Sequence, residues 1–140
     1  MFNHKSKIEI RFSDIDAFHH VNNATYLTYY EQARIAYFNE IVGWEYDWSK
    51  TGVILAKAVV EFRVPVDFKD DIIIYTRCCR IGTKSFDLQY RMMKVSGEEE
   101  MLVSEASTIM VAYNYELNQS IEIPESWKEL IRRFEVNQSL

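Results

Sequence analysis

One long amphipathic helix in an otherwise strand-rich chain is the feature that most restricts the fold. When successive residues are placed 100° apart, one set of apolar side chains shares an arc of roughly 140° over about four turns. The set comprises Tyr26, Leu27, Tyr30, Ala33, Tyr37, Phe38 and Ile41. Asn22 or Asn23 is the expected N-cap, and Val42-Gly43 is the expected end. A chain with one such helix must cover it with strands.

Alternating or apolar runs bounded by turn residues predict strands on both sides of this helix. The runs are 7–12, 53–66 with a break at Pro65, 72–81, 84–95 and 101–115. Short turns between the last four predict three consecutive hairpins. Helical spacing after Pro124 predicts a small terminal helix. The expected class is α+β, a five-stranded antiparallel sheet whose uncovered face or edge favours a homodimer.

Composition excludes several function classes. The length of 140 residues suits a single domain, and four scattered glycines cannot form a phosphate-binding loop. With 16 Lys plus Arg against 21 Asp plus Glu, the formal charge is −5, so no nucleic-acid partner is expected. Cys78 and Cys79 form no disulfide framework, and no apolar run is long enough for a signal peptide or membrane span. We therefore expect a soluble, cytoplasmic protein without a membrane partner.

A polar cluster immediately before the long helix is the main candidate for chemistry. It consists of Asp14, Asp16, His19 and His20. The first turn of a helix presents unpaired N–H groups and the positive end of the helix dipole, which can hold an oxyanion. A nearby carboxylate can attack a carbonyl or activate water. Asp16 is the best candidate, although Asp before a helix is often only a cap.

The histidines have structural alternatives. The adjacent His19 and His20 either fix the loop or transfer protons, and a metal site with the neighbouring aspartates lacks further ligands. No metal or cofactor is therefore expected. His4 is expected to lie in an exposed tail.

Two further pairs of polar residues allow more than one interpretation. Glu31 and Arg34 lie at or within the core-facing arc, so we expect a buried pair held by mutual hydrogen bonds, with catalysis by Glu31 as the alternative. Lys84 and Ser85 follow a turn, where a lysine is usually solvated but can also contact phosphate.

The sequence around the polar cluster resembles a known family signature. The stretch RFSDIDAFHHVNNATYL over 11–27, continued by YEQAR over 30–34, is similar to that of hotdog-fold acyl-CoA thioesterases of the 4-hydroxybenzoyl-CoA thioesterase type. The resemblance implies a sheet wrapped around the long helix over about 5–115, with 116–140 as a C-terminal extension of a single domain. It also implies edge-to-edge dimers, alone or paired into tetramers, with the thioester in a tunnel at the interface.

The resemblance further implies an activity and its catalytic residues. The activity is hydrolysis of an acyl-CoA, or an acyl-ACP, to a free acid and a thiol. Asp16 matches the catalytic carboxylate, acting as nucleophile or general base. The N–H near Asn23 matches the donor that polarises the thioester carbonyl. His20 matches a catalytic histidine of the related plant acyl-ACP thioesterases.

The same resemblance implies substrate-binding residues, and the sequence differs from the family signature at two positions. Tyr26 is the helix tyrosine of the signature, and Lys84 and Ser85 match a K-S pair that helps hold the nucleotide or pantetheine end of CoA. Position 19 is commonly Gly but is His19 here, which is expected to narrow the pocket or place a polar group near the acyl chain. Phe18 replaces an Asn of the plant enzymes. The alternatives are a non-catalytic acyl-thioester-binding dimer and enoyl-thioester hydration.

Overall fold

The computed structural model describes residues 1–43, 47–136 and 140. Its helices and strands are, in chain order, β1 (His4–Ile8), α1 (Thr25–Ile41), β2 (Thr51–Phe62), β3 (Asp71–Ile81), β4 (Ser85–Ser96), β5 (Glu99–Asn114), β6 (Gln119–Ser120) and α2 (Glu125–Phe134). All strand pairs are antiparallel, in the order β1-β3-β4-β5-β2, with the short β6 beside β5. The predicted α+β class and hotdog architecture are confirmed.

The aromatic stripe of α1 packs on the inward side of the sheet. Alternation along β3 to β5 turns every second side chain toward the helix, where it is buried. The Tyr30 and Tyr90 rings are 5.1 Å apart, and those of Phe38 and Phe86 are 5.5 Å apart. The Tyr30 hydroxyl donates a hydrogen bond to Ser104 Oγ at 2.6 Å. Five members of the predicted stripe are buried there, namely Tyr26, Tyr30, Ala33, Tyr37 and Phe38. The prediction is wrong for Leu27, which is 48% exposed, and it missed Tyr29, which is 1% exposed.

Local hydrogen bonds set both ends of α1. The Asn22 side chain accepts from the Ala24 N–H at 2.8 Å, but the regular helix begins only at Thr25, later than the predicted caps imply. At the other end, the Val42 N–H donates to Phe38 O at 2.8 Å, and Gly43 follows with φ +92°. A left-handed glycine terminates the helix as predicted. In the described part of the chain, no helix is long and apolar enough to cross a membrane.

The prediction of three consecutive hairpins is wrong. β2 does not pair with β3; it pairs with β5 at the far edge of the sheet. Residues 63–70 carry the chain across to β3, which begins at Asp71. Only the β3–β4 and β4–β5 connections are hairpins between these long strands. Periodicity identifies a strand but not its partner, and the Pro65 break marks the start of this crossing.

His4 is buried, contrary to the expectation of an exposed tail. β1 begins at His4 rather than at residue 7, and His4 stands opposite Thr76 of β3. The imidazole is 4% exposed, and its Nε2 lies 2.9 Å from Glu40 Oε2. Burial lowers the pKa of His4, although the Glu40 carboxylate acts in the opposite direction. The N-terminal residues are thus tied to the end of α1.

The C-terminal helix α2 docks on the core and buries a carboxyl group behind it. Trp127 and Ile131 form its buried face, which confirms the predicted amphipathic helix. Glu135 follows and is 1% exposed. Its Oε1 accepts hydrogen bonds from the Tyr37 hydroxyl at 3.0 Å and the Cys78 N–H at 3.2 Å. Burial raises the pKa of Glu135 despite these hydrogen bonds.

Glu135→Gln is expected to reduce the pH dependence of stability. Because the folded pKa of Glu135 is raised, its stabilising contribution is complete below the ordinary value of about 4.3 and is lost as the pH rises through the folded pKa. Gln accepts the same hydrogen bonds without ionising. Urea unfolding at a series of pH values from about 4 upward should show the free energy of unfolding of the variant rising relative to that of the wild type. If the difference in the free energy of unfolding between variant and wild type does not change with pH, the pKa of Glu135 is not raised in the folded protein. The control is Glu129→Gln on the exposed face of α2.

Candidate functional site

Asp14, the first carboxylate of the D-x-D, holds the loop between β1 and α1 in place. It is 4% exposed, and its Oδ2 accepts hydrogen bonds from the Tyr29 hydroxyl at 2.7 Å and the Arg11 N–H at 2.9 Å. Burial acts to raise the pKa of Asp14, but the hydrogen bonds from Tyr29 and Arg11 bring it below its ordinary value. The Asp14 carbonyl also accepts from the Asn22 N–H at 2.9 Å. Asp14 therefore joins the loop to the start of the helix.

Asp16, the second carboxylate, stands inside a closed turn. Ile15 and Val21 form an antiparallel bridge, and the Asp16 N–H donates to the His20 carbonyl at 2.9 Å. Asp16 Oδ1 accepts a hydrogen bond from the Phe18 N–H at 2.9 Å. This Asx turn fixes one carboxylate oxygen. Unlike Asp14, Asp16 is partly exposed.

A cleft of about 600 Å³ opens beside Asp16. It brings together Asp16, His20, Asn23 and Tyr26, all of which the sequence predicts as site residues. The remaining lining residues are Phe18, Val21, Asn22, Phe62, Arg63, Val64 and Pro65. A carboxylate and the start of α1 therefore share one cavity.

The backbone N–H of Asn23, a residue that lines the cleft just before α1, is the candidate oxyanion donor. The Thr25 N–H donates to the Asn22 carbonyl at 2.9 Å, and the Ala24 N–H donates to the Asn22 side chain. Among the residues that the structure describes, none accepts a hydrogen bond from the Asn23 N–H. An unpaired N–H at the positive end of a helix can stabilise negative charge on a carbonyl oxygen.

His20 contacts Asp16 through its backbone rather than its ring. The His20 carbonyl accepts the Asp16 N–H, whereas the imidazole Nε2 lies 3.8 Å from Asp67 Oδ1. That distance is too long for a hydrogen bond. His20 thus shapes the turn that carries Asp16, and its ring is half exposed beside a carboxylate.

His19 adopts a backbone conformation that suits glycine. Its φ is +67°, in the left-handed region, which explains physically why a glycine fits this position of the signature. Its side chain is exposed and is not among the residues lining the cleft. Within one chain it therefore does not narrow the pocket. In residues 1–43, 47–136 and 140, no three His, Cys, Asp or Glu side chains are grouped so that they could hold a metal ion.

The opposite wall of the cleft comes from the end of β2 and the segment after it, which sequence reasoning missed. The Phe62 ring packs edge-on against Tyr26 at 4.9 Å. Arg63 donates to Glu105 at 2.6 Å and to Glu61 at 3.0 Å. The Val21 N–H donates to a carbonyl of this segment at 2.8 Å. The only sequence signal for this wall was the proline that breaks the strand pattern.

Lys84 and Ser85 lie outside the cleft within one chain. They stand at the β3–β4 turn, where Ser85 Oγ accepts a hydrogen bond from Arg80 at 3.0 Å. Arg80 also pairs with Asp87 at 2.8 Å. Lys84 is exposed. The structure thus adds a second cation beside the K-S pair but does not bring the pair to Asp16.

The expectation of a buried Glu31–Arg34 pair is wrong for Glu31. Arg34 is buried, with a side chain 11% exposed, but the Glu31 side chain is 61% exposed. Glu31 Oε2 and Arg34 Nη2 are 3.9 Å apart, beyond hydrogen-bond distance. Arg34 instead donates to the Tyr90 hydroxyl at 3.4 Å. Glu31 lies at the edge of the apolar arc, and the edge position leaves its carboxylate in solvent.

The sequence matches a family profile and a protein of known sequence over most of its length. Residues 10–131 match the profile of the thioesterase-like superfamily. The Bacillus subtilis (strain 168) protein YsmA is 25% identical over 130 residues, which cover 93% of this chain and 86% of YsmA.

Two solved structures are similar over nearly the whole chain. A Thermus thermophilus thioesterase, complexed with coenzyme A and Zn, is 26% identical with a TM-score of 0.83, and the alignment covers 99% of this chain and 98% of that one. A variant of 4-hydroxybenzoyl-CoA thioesterase, complexed with 4-hydroxybenzoyl-CoA, has a TM-score of 0.82 at 21% identity, covering 91% and 96%. The second likeness concerns the fold alone.

Proposed function

We propose that this chain, which belongs to the thioesterase-like superfamily, hydrolyses an acyl-CoA thioester to a free acid and CoA. The observation that carries the proposal is the single cleft lined by the Asp16 carboxylate and the start of α1 with its open Asn23 amide. These are the two groups that acyl transfer requires. The coenzyme A bound by the Thermus thioesterase supports CoA as the thiol.

The proposed reaction uses Asp16 as nucleophile or general base. Asp16 attacks the thioester carbonyl carbon, or takes a proton from a water that attacks it. The Asn23 N–H stabilises the resulting oxyanion, the C–S bond breaks, and the CoA thiolate takes up a proton. When Asp16 is the nucleophile, water then hydrolyses the mixed anhydride between Asp16 and the acyl group, which releases the acid and restores the carboxylate. In either route one water is consumed, and it is the source of the proton on the thiol. His20 holds the turn around Asp16 through its backbone carbonyl.

Substrate contacts complete the proposal. Tyr26 lines the cleft beside Asn23 and contacts the thioester. Lys84 and Ser85 hold the nucleotide or pantetheine end of CoA, and the guanidinium of Arg80 is close enough to contribute to the same anion contact. No metal takes part in the proposed steps.

A thiol-release screen tests this function. Purified protein is assayed with short, medium, long and aromatic acyl-CoAs, and the same acyl groups on acyl carrier protein form a second arm. Release of free thiol from at least one acyl-CoA supports the proposal. Tight acyl-CoA binding by calorimetry without thiol release indicates a binding module instead. An enoyl-CoA is added as a third arm, and loss of its enoyl absorbance without thiol release indicates hydration.

We also propose that two chains pair through β2. This strand is one of the two edges of the sheet, and among the described residues it pairs with β5 alone. Its apolar side chains Ile54, Leu55, Val59 and Phe62 are 37–49% exposed. An apolar edge strand is a ready surface for pairing with a second copy. An edge-to-edge pair would also bring a second chain beside the cleft, because Phe62 lines it.

Replacing Ile54 and Val59 together by Lys is expected to produce a monomer. Like charges introduced on two facing edges repel each other and interrupt the apolar contact. Light scattering should give the wild type twice the mass of one chain, and the double variant the mass of one. Val136→Lys, at an exposed apolar residue beyond α2, is the matched control and should keep the wild-type mass. A monomeric wild type contradicts the proposal.

A further inference from the structure

Arg34 is a buried cation, and its pairing with the other described residues is weak. Its side chain is 11% exposed, and its hydrogen bond to the Tyr90 hydroxyl, at 3.4 Å, is near the outer limit for such a bond. The Glu31 carboxylate is 3.9 Å away and faces solvent. Burying a guanidinium without a close counter-ion is costly, so proteins usually supply one. Among the described residues, no carboxylate lies within hydrogen-bond distance of the Arg34 guanidinium.

Arg34 lines a cavity of about 140 Å³ between α1, β2 and β5. On this measure one water-sized group needs about 10–15 Å³, so the cavity holds several non-hydrogen atoms. Half of its ten lining residues are apolar and half are polar. The apolar lining residues are Leu27, Leu55, Ala58, Val60 and Ala106, and the polar ones are Thr28, Tyr30, Glu31, Arg34 and Thr108. Small-molecule sites likewise combine apolar walls with polar groups that fix the orientation of the ligand. We refer to this space as the Arg34 cavity.

The buried hydroxyl groups beside the guanidinium are already paired. Tyr90 and Thr108 share a hydrogen bond of 2.9 Å, and Tyr30 donates to Ser104 Oγ at 2.6 Å. The guanidinium is therefore the polar group of the cavity with the most unused hydrogen-bonding capacity. Its planar fork matches the two oxygens of a carboxylate better than a single hydroxyl.

The Arg34 cavity continues the direction of the Asp16 cleft along the seam between α1 and β2. Tyr26 and Phe62 line the cleft, and Tyr30 and Val60, the next residues along the same faces, line the cavity. At about 1.5 Å per residue, Arg34 lies about 14 Å along the helix axis from Thr25. A chain that starts at the cleft and follows this seam ends near the guanidinium.

We propose that the Arg34 cavity receives a carboxylate at the far end of the acyl group, so that the preferred substrates are CoA monothioesters of dicarboxylic acids. This inference rests on the proposed thioesterase function and specifies its substrate class. The bound carboxylate supplies a closer counter-ion to Arg34 than Glu31, whose carboxylate oxygen is 3.9 Å away. Glu31 remains outside the ion pair because its carboxylate is turned to solvent.

Matched pairs of substrates test the inference. Glutaryl-, adipoyl-, suberoyl- and sebacoyl-CoA are compared with the neutral acyl-CoAs of the same chain length. Several lengths are needed because the pairing of two chains affects the path from Asp16 to Arg34. The wild type is expected to show higher kcat/KM for the ω-carboxyacyl member at one length or more. Higher kcat/KM for the neutral member at every length overturns the inference.

Variants at Arg34 identify the residue responsible. Arg34→Met, which keeps much of the length and volume, should lower kcat/KM for the favoured ω-carboxyacyl-CoA roughly 10- to 100-fold, the size of a lost charged hydrogen bond, and leave the neutral partner nearly unchanged. Arg91→Met makes the same charge change on the outward side of β4 and is the control; it should not alter the preference. Equal losses on both substrates, as a purely structural role predicts, contradict the inference.

Two further measurements separate the possible failures. If Arg34→Met does not fold, Arg34→Lys keeps the charge but removes the fork, and it should reduce the preference; an unchanged preference counts against the inference. If no thioester is hydrolysed, the proposed function fails, and calorimetry with the same substrate pairs then tests the cavity alone. Tighter binding of the ω-carboxyacyl-CoA supports a carboxylate site even so, and equal affinities overturn it.

Discussion

Asp16→Asn is expected to lower kcat by about 10²- to 10⁴-fold on the best acyl-CoA substrate. The amide of Asn neither takes a proton from water nor attacks a carbonyl. Its carbonyl oxygen still accepts the hydrogen bond that Asp16 Oδ1 now receives from the Phe18 N–H. The turn should therefore persist while the reacting group is lost. Single-turnover assays would measure this loss directly.

The same substitution should hardly change stability. Asp16 is partly exposed, and the loop is held by Asp14 and by backbone hydrogen bonds on either side of it. We expect the free energy of unfolding to change by less than about 0.5 kcal/mol, as for surface substitutions in general. Calorimetric binding of the substrate to the variant should persist, because the proposed role of the carboxylate is to act on the reacting carbonyl and not to hold the acyl chain.

Asp47 provides a matched control. Its Oδ1 accepts a hydrogen bond from the Ser49 N–H at 3.1 Å, the same two-residue turn that Asp16 makes with Phe18. Asp47→Asn removes the same charge from the same type of turn away from the cleft and should leave kcat unchanged. If Asp16→Asn retains most of the wild-type rate, or if Asp47→Asn loses as much, Asp16 is not the reacting group.

The elements of this fold could be predicted because each carries its own period. The stripe from Tyr26 to Phe38 has helical spacing, and the strands that follow alternate. Strand order could not be predicted in the same way, since β2 has the same alternation whether it pairs with β3 or with β5. The structure places it beside β5, and only the break at Pro65 gave a sign of the crossing.

The candidate site was predictable where its residues are close in sequence. Asp16, His20 and Asn23 lie within one turn and the helix start, so the motif alone brings them together. The opposite wall of the cleft, which ends at Pro65, is set by tertiary packing. So are the hydrogen bonds between residues that are far apart in sequence. Glu135, for example, accepts hydrogen bonds from Tyr37 and Cys78, and no local pattern links the three.

The partner of a charged residue on an amphipathic helix is equally hard to predict from the sequence. Helical spacing predicts that Arg34 faces the core, and it does, but it does not predict what stands opposite. Glu31 is three residues earlier and would be the natural partner, yet its position at the edge of the stripe leaves it in water. The counter-ion of a buried side chain is a property of the whole core, which periodicity does not encode.

Asp14→Ala is expected to have the opposite effect to Asp16→Asn, with a loss of about 2–5 kcal/mol in the free energy of unfolding. The substitution leaves the buried Tyr29 hydroxyl and the Arg11 N–H without their acceptor. Each unsatisfied buried donor costs about 1–3 kcal/mol. Urea unfolding at neutral pH measures the loss. If the chain does not fold, Tyr29→Phe removes one of the three hydrogen bonds that the Asp14 carboxylate accepts and should cost about 1.5–3 kcal/mol.

The pH dependence of the stability loss in Asp14→Ala shows whether the loss comes from the missing carboxylate or from the missing side-chain volume. Because the folded pKa of Asp14 is lowered, its contribution is present above its ordinary value of about 3.9 and is lost as the pH falls through the folded pKa. The gap between wild type and Asp14→Ala should therefore narrow under acid conditions, whereas a gap caused by lost volume would stay constant. Stability of Asp14→Ala within about 0.5 kcal/mol of wild type at neutral pH would show that the loop does not depend on this carboxylate. Together the two substitutions test separate roles for the two aspartates of the D-x-D: Asp14 as the acceptor that holds the turn, and Asp16 as the proposed reacting carboxylate.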